Sequence, residues 1–352
     1  RGDATVEGKR YTMVLDRGRV TAPEGGSVAV AQSLFLVPDV TRKPVHAELR
    51  LNTKSSVTAA LSLLDQPPFR FLSKAGRPVD LGTGRAEVQT VIRLPLKPRL
   101  RPDEVEFSVA GRIFDFRSDV LVPGRVLTAP DLVLTADPAG FSVSGAGKLG
   151  TAPFEATFTQ GLTPEERGRS RIEGTATLSQ VPLDEFGIGL PRGLVSGSGP
   201  GRIVVELEKD QPPKLTLTSA LTGIGLSLPE LGFRKAASAS GRLEVQATLG
   251  KPASVQRLVV EGGGLQAEGS VTLRADGQLD QARLDRVRLN GWLDAPVTLV
   301  GQGKGQPPEV SVTGDSVDLR RLSLGSGGGG GGGGGAPVTG RVQLGRVVVT
   351  ER

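Results

Sequence analysis

Ten residues constrain the fold of this chain more than any others: Gly264–Leu273, reading GLQAEGSVTL. Leu265, Ala267, Gly269, Val271 and Leu273 alternate with Gln266, Glu268, Ser270 and Thr272, the period-2 pattern of a strand with one apolar and one wet face. Asp276-Gly277 follows, a dipeptide suited to a hairpin because both central positions can take positive φ. The return passes through Leu279, Ala282 and Leu284. The segment therefore reads as half of a meander.

The same pattern, with a glycine on the apolar face, recurs at Phe141, Val143, Gly145, Gly147 and Leu149, and at Phe107, Val109, Gly111 and Ile113. It returns at Val310, Val312 and Gly314, and more weakly at Ile172, Gly174, Ala176 and Leu178. A glycine there lets a strand bend or lets another group approach its backbone. Repetition in one register points to a shared curvature rather than to isolated bulges. Roughly twenty to twenty-four strands are expected, and open sheets of that size twist and curl. The expected fold is all-β: an elongated, highly twisted antiparallel sheet curled into an apolar-lined groove, with one or two short helices.

Along the chain, residues 1–52 read as groove strands, among them Tyr11–Leu15, Ser27–Val30, Ser33–Val37 and Val45–Leu51. Residues 53–84 read as a helical insertion. Thr53 or Ser55 is the expected cap of a helix whose apolar stripe is Val57, Ala60, Leu61 and Leu64, stopped by Pro67-Pro68. A further helical turn is expected before Gly76, and another at Pro182–Phe186. Residues 85–326 read as continuous antiparallel repeats with prolines at strand margins, 327–336 as a polyglycine linker and 337–352 as one or two terminal strands.

Composition removes several function classes. Without cysteine there is no disulfide, thiolate metal site or cysteine nucleophile, and one histidine, His46, leaves little for imidazole catalysis or zinc. His46 alternates with Val45 and Ala47 and reads as a wet-face strand residue. The net charge of +6 is interspersed with acidic residues along polar faces, and aromatics are 4% of the chain. A nucleic-acid partner, which would call for a basic stripe with stacking aromatics, is not expected. No run is long enough for a membrane-spanning helix, and the chain opens on Arg with its only Met at position 13. It reads as a piece of a longer protein, and any anchor or export signal would lie upstream of it.

The remaining motifs have plain readings. Asp184-Glu185 and Glu165-Glu166 are adjacent loop carboxylates, solvated rather than held apart for acid/base work. GSGPG at 197–201 lacks the Lys and Ser/Thr of a phosphate-binding loop, and no G-x-S-x-G elbow is present. Trp292 reads as a turn residue covering the core, and Arg1-Gly2-Asp3 as a chance tripeptide.

From about Ala60 to Arg352 the chain resembles the AsmA-like proteins of Gram-negative bacteria, in particular the YhdP-like members. The resemblance is carried by LLDQPPFRFLSKAGRPVDL (Leu63–Leu81), ADPAGFSVSGAGKLGTAPF (Ala136–Phe154), LDEFGIGLPRGLVSGSGPGRI (Leu183–Ile203) and LTLTSALTGIGLSLPELGF (Leu215–Phe233). It continues through GRLEVQATLG (Gly241–Gly250), RVRLNGWLDAPVTLVGQGKGQPPEVSVTG (Arg286–Gly314), SVDLRR (Ser316–Arg321) and the glycine-rich run after it. The resemblance implies a repeating β-groove, a periplasmic setting with an inner-membrane anchor in the full-length protein, and movement of phospholipid between inner and outer membranes.

The expected activity is thus non-enzymatic, without metal or cofactor: phospholipid acyl chains sliding along an apolar strip, with the two membranes engaged through flanking regions. The groove candidates are Phe107, Val109, Phe141, Val143, Ile203, Val205, Leu215, Leu217, Leu243, Val245, Leu249, Leu265, Ala267, Val271, Leu273, Val310 and Val312. The alternative is a structural or adhesive β-solenoid of the cell envelope, whose apolar face is filled by its own side chains. A transmembrane barrel would need aromatic girdles, which one Trp and one Tyr do not supply.

Overall fold

Alternation is converted into strands almost everywhere it occurs. The computed structural model describes residues 1–67, 70–188, 190, 193–303, 306, 308–318 and 340–348. The chain is all-β, an open antiparallel architecture not closed into a barrel, and it divides into two compact units, Arg1–Ser170 and Arg171–Arg352.

The first unit is a meander in which each strand pairs antiparallel with the next. Its strands are β1 (Gly2–Glu7), β2 (Arg10–Thr21), β3 (Ser27–Val37), β4 (His46–Ser56), β5 (Thr83–Pro95), β6 (Glu106–Ser118), β7 (Leu127–Ala136), β8 (Gly140–Leu149) and β9 (Ala152–Gly161). The two segments expected at Ser27–Val30 and Ser33–Val37 are one strand, β3, with a register shift between Ala31 and Leu34. Gln32 sits at φ 46° in that bulge, and its carbonyl accepts from the Asn52 side-chain amide at 2.8 Å. The expected solvent-facing position of His46, at the start of β4, holds.

Between β4 and β5 lie α1 (Val57–Leu64) and α2 (Phe71–Lys74). The cap of α1 is Ser56, not Thr53 or Ser55, because β4 keeps pairing with β5 through Ser55 and Ser56. The Ser56 hydroxyl accepts from the Ala59 N–H at 3.0 Å and donates to the Gly25 carbonyl at 2.7 Å. The buried face also differs from the expected stripe: Val57, Ala59 and Ser62 are buried, while Leu64 is 51% exposed. The helix bridges two clusters rather than lying along one groove. Ala59 packs with Ala22, Val28 and Val30, and Val57 with Phe116 and Ala129.

The second unit begins within β10 (Arg169–Ser179), followed by α3 (Gln180–Glu185), where the helical turn at Pro182–Phe186 was expected. Its further strands are β11 (Val195–Glu208), β12 (Lys214–Ser219), β13 (Ile224–Leu228), β14 (Phe233–Lys235), β15 (Arg242–Thr248), β16 (Ser254–Gly262), β17 (Leu265–Leu273), β18 (Leu279–Leu289), β19 (Leu293–Val300), β20 (Glu309–Asp318) and β21 (Gly340–Val348). Strands β13 and β17 have the limits their alternation implies. Ion pairs Arg171–Glu206 and Glu173–Arg202 link β10 to β11.

Two departures from a simple meander appear. The main ladder passes from β12 directly to β15, so β13 and β14 leave it and form a small second sheet with Val195–Gly197 of β11. At the far end β21 pairs with β20 in parallel, so the ladder is antiparallel only as far as β20. The expected polyglycine linker at 327–336 lies outside the described residues, as do 337–339 and 349–352 of the expected terminal segment.

The small sheet has a packing role. Phe233 on β14, with Leu226 and Leu228 on β13, packs against Val287, Leu289, Trp292, Leu293, Ala295 and Val297. Trp292 is 9% exposed in this cluster, the core-covering role its place in a turn implied.

Candidate functional site

Directly paired residues in a ladder share a face, so the register shows what that face carries. In the second unit one row runs Ile203, Leu217, Val245, Leu258, Gly269, Leu284, Val297, Val312 across β11, β12 and β15 to β20. A neighbouring row runs Val205, Leu215, Ala247, Val255, Val271, Ala282, Leu299, Val310. Neither contains a polar side chain. At about 4.8 Å per strand, eight strands make a strip on the order of 34 Å long.

The first unit carries a comparable face. Ala4, Met13, Phe35, Leu49, Ile92 and Phe107 form one row across β1 to β6. Val88, Gly111, Leu134, Val143 and Phe158 form another across β5 to β9, and Thr90, Val109, Ala136 and Phe141 lie between them. Phe141 and Phe158 are in ring contact, centroids 5.6 Å apart.

What lies over these faces distinguishes a trough from a core. A sandwich buries both inner faces against each other. Here the caps are local: α1 covers one end of the first unit's strands, and β13 with β14 covers part of the β17 to β20 region in the second. Elsewhere the rows are half-buried except at Ala247, which is buried; Ile203, Val205, Leu215, Leu217, Val245, Leu258 and Val271 all retain solvent contact.

The opposite face is polar and ion-paired. Arg257 bridges Glu244 and Glu268, Arg242 pairs with Glu244, and Arg288 with Asp294. In the first unit Glu48 accepts from Arg93 at 2.8 Å and Arg50 at 2.5 Å, and these bonds hold its carboxyl below the usual range. Arg112 does the same for Asp131, Arg202 and then Arg171 for Glu173, and Arg242 for Glu244. The arginines are thereby neutralised in place, and charge stays off the apolar side.

One cation is different. Lys235 is buried where β14 ends, and its ammonium donates to the carbonyls of Leu221 (2.8 Å), Ile224 (2.8 Å), Ala236 (3.3 Å) and Ala239 (2.6 Å). Burial pushes its pKa down. It ties the small sheet to the connection leading into β15.

Of the residues singled out from sequence, Ile203, Val205, Leu215, Leu217, Val245, Val271, Val310 and Val312 stand in the two continuous rows. Leu243, Ala267 and Leu265 fall on the same side nearer the small sheet, and Leu273 pairs with Leu279 at the strand's end. Phe107, Val109, Phe141 and Val143 lie on the corresponding face of the first unit. Leu249 does not belong: it follows the end of β15 and is 40% exposed, because pairing with β12 stops at Thr248.

The groove candidates do not include Val255 and Leu258, which bracket a bulge that breaks their alternation, nor Val297 and Leu299, whose place depends on register; Ala282 and Leu284, read from sequence as the return of the β17 hairpin, do pair with β17 and complete the rows. No family model, curated protein or solved structure matches the chain.

Proposed function

We propose that the apolar face binds phospholipid acyl chains and that the chain is a segment of a non-enzymatic conduit moving phospholipid between membranes. The observation that carries this reading is the pair of rows crossing eight strands with no polar side chain and, among the described residues, no second sheet along most of their length. Each methylene taken from water gains about 0.8 kcal/mol, so an acyl chain on such a strip is held strongly in total yet at no single point. Lacking a fixed polar partner, it is free to slide, and its headgroup stays in water at the rim.

On the resemblance to AsmA-like proteins, the setting is the periplasm, with the inner-membrane anchor elsewhere in the full-length protein. A structural or adhesive scaffold would need the same face filled by its own side chains, and the half-burial of the rows speaks for an occupant instead.

The test is to purify the protein from membranes without detergent exchange and analyse its bound lipid by mass spectrometry, with a photoreactive residue at Leu258 or, as control, at Gln246 on the opposite face. Phospholipid at stoichiometric levels, crosslinked from 258 and not from 246, is the expected result. Absence of lipid, or equal crosslinking from both positions, overturns the reading.

A further inference from the structure

Three connections meet at one end of the first unit's strands: the turn at Gly8 and Lys9, the β3 to β4 connection at 38–45 and the β5 to β6 connection at 96–105. The Val40 N–H donates to the Lys9 carbonyl at 2.9 Å and the Leu96 N–H to the Val45 carbonyl at 2.6 Å, so the three stand side by side. They turn aliphatic side chains to solvent. Val40 is 42% exposed, Leu96 43% and Leu100 38%.

The same connections are basic. Their carboxylates are engaged internally: Glu104 by Lys97 at 2.5 Å and Arg101 at 3.3 Å, Asp103 by Arg101 at 3.5 Å, and Asp39 by the hydroxyl and N–H of Thr41. Arg42, Lys43 and Arg99 are exposed and have no ion-pair partner among the described residues. Arg99 also holds φ 57°, a left-handed conformation that costs a non-glycine residue energy, and it does so beside exposed Leu100.

We propose that these three connections form a docking surface for a bilayer containing anionic phospholipid. Short aliphatic side chains enter the boundary between headgroups and acyl chains, and unpaired cations meet headgroup phosphates; a surface with both features attaches where either alone is marginal. None of the three connections contains an aromatic residue, which a single-stranded nucleic acid would use for stacking and a protein partner for its anchors. The row Phe35, Leu49, Ile92, Phe107 lies at this end of the strands, and α1 covers the other.

The surface does not rest on the acyl-chain reading and is tested apart from it. The protein is sedimented with vesicles of phosphatidylcholine alone and of phosphatidylcholine mixed with phosphatidylglycerol, at low and high salt. Binding to the anionic vesicles, weakened by salt, is expected. Arg42→Glu/Lys43→Glu/Arg99→Glu should weaken it about tenfold or more, and Leu96→Ser/Leu100→Ser should weaken it while leaving thermal melting unchanged. Arg283→Glu, on the polar face of the second unit with its side chain 73% exposed, is the control for general charge and should bind as the parent does. Val245→Asp/Val271→Asp should also bind vesicles normally, even where it has lost bound lipid. No preference for anionic vesicles, an equal loss in Arg283→Glu, or tighter retention by single-stranded DNA than by vesicles would overturn the proposal.

Discussion

Gly269 stands directly opposite Leu284 in the β17 to β18 ladder, and a Cβ placed on it would lie 2.7 Å from the Leu284 Cα. The ladder slips by one residue at this point, between Glu268 and Gly269, so the two backbones are closer than paired side chains allow. Overpacking against backbone cannot be relieved by a rotamer change. Gly269→Ala should therefore destabilise the second unit by about 1–3 kcal/mol, in the range of overpacked cores, read as a lower urea midpoint at unchanged slope. An unchanged midpoint would show that the strands can separate freely, and the close approach would then have no structural weight.

Lys235 offers a second test because its four acceptors are backbone carbonyls and no carboxylate is among them. Lys235→Met keeps the aliphatic stem and removes every donor, leaving buried acceptors unpaired at a cost of about 1–3 kcal/mol. Amide exchange should accelerate in the residue 221–241 region first. The sign with pH is defined as well: burial lowers the folded-state pKa, so below the ordinary lysine value the folded protein binds fewer protons than the unfolded one. Stability should rise as pH climbs through that window, and the rise should vanish in Lys235→Met.

The polar face predicts behaviour in acid. Glu104 is held down to about 2, first by Lys97, and Glu48, Asp131, Glu173 and Glu244 are held below their ordinary values by arginines. Groups with depressed folded pKa values stabilise fully above their unfolded values and lose that contribution as pH falls through the folded ones. Each exposed pair is worth little alone, but all act in the same direction. Melting temperature should be level between about pH 5 and 7 and fall below the ordinary glutamate value near 4.3. Glu48→Gln, which removes the carboxylate shared by Arg50 and Arg93, should lower the plateau and flatten the fall; an unaltered acid limb would refute the assignment.

How far this molecule is legible from sequence depends on whether a feature is local. The alternation at Leu265–Leu273 defines both the strand and its apolar side, because period and face are properties of one segment. The bulges at Gln32 and between Val255 and Leu258 hide themselves by shifting the parity on which that reading depends. Strands β13 and β14 alternate as the others do. Nothing in Ile224–Leu228 marks that it pairs with Val195–Gly197 as well as with β14, instead of joining the main ladder beside β12, since that pairing is settled by residues nearly thirty positions away. The cap over Leu289 and Val297 was therefore invisible, although Trp292 within it was not.

The apolar rows themselves allow the most direct test. Val245 pairs with Leu217 and Leu258, and Val271 with Val255 and Ala282, so both point onto the strip from the interior of their strands. Both are half-buried and remain in contact with solvent. Without lipid, an aspartate at either position keeps its water and costs the fold little. With an acyl chain over it, the same carboxylate is desolvated and unpaired, a penalty of several kcal/mol that excludes the chain. Val245→Asp/Val271→Asp should accordingly retain its β circular dichroism and melt within a few degrees of the parent while losing co-purified phospholipid. If the rows were instead an ordinary core, two buried carboxylates would unfold the second unit or drive it to aggregate. Collapse of the circular dichroism signal at neutral pH would decide for the core and against a lipid path at this position.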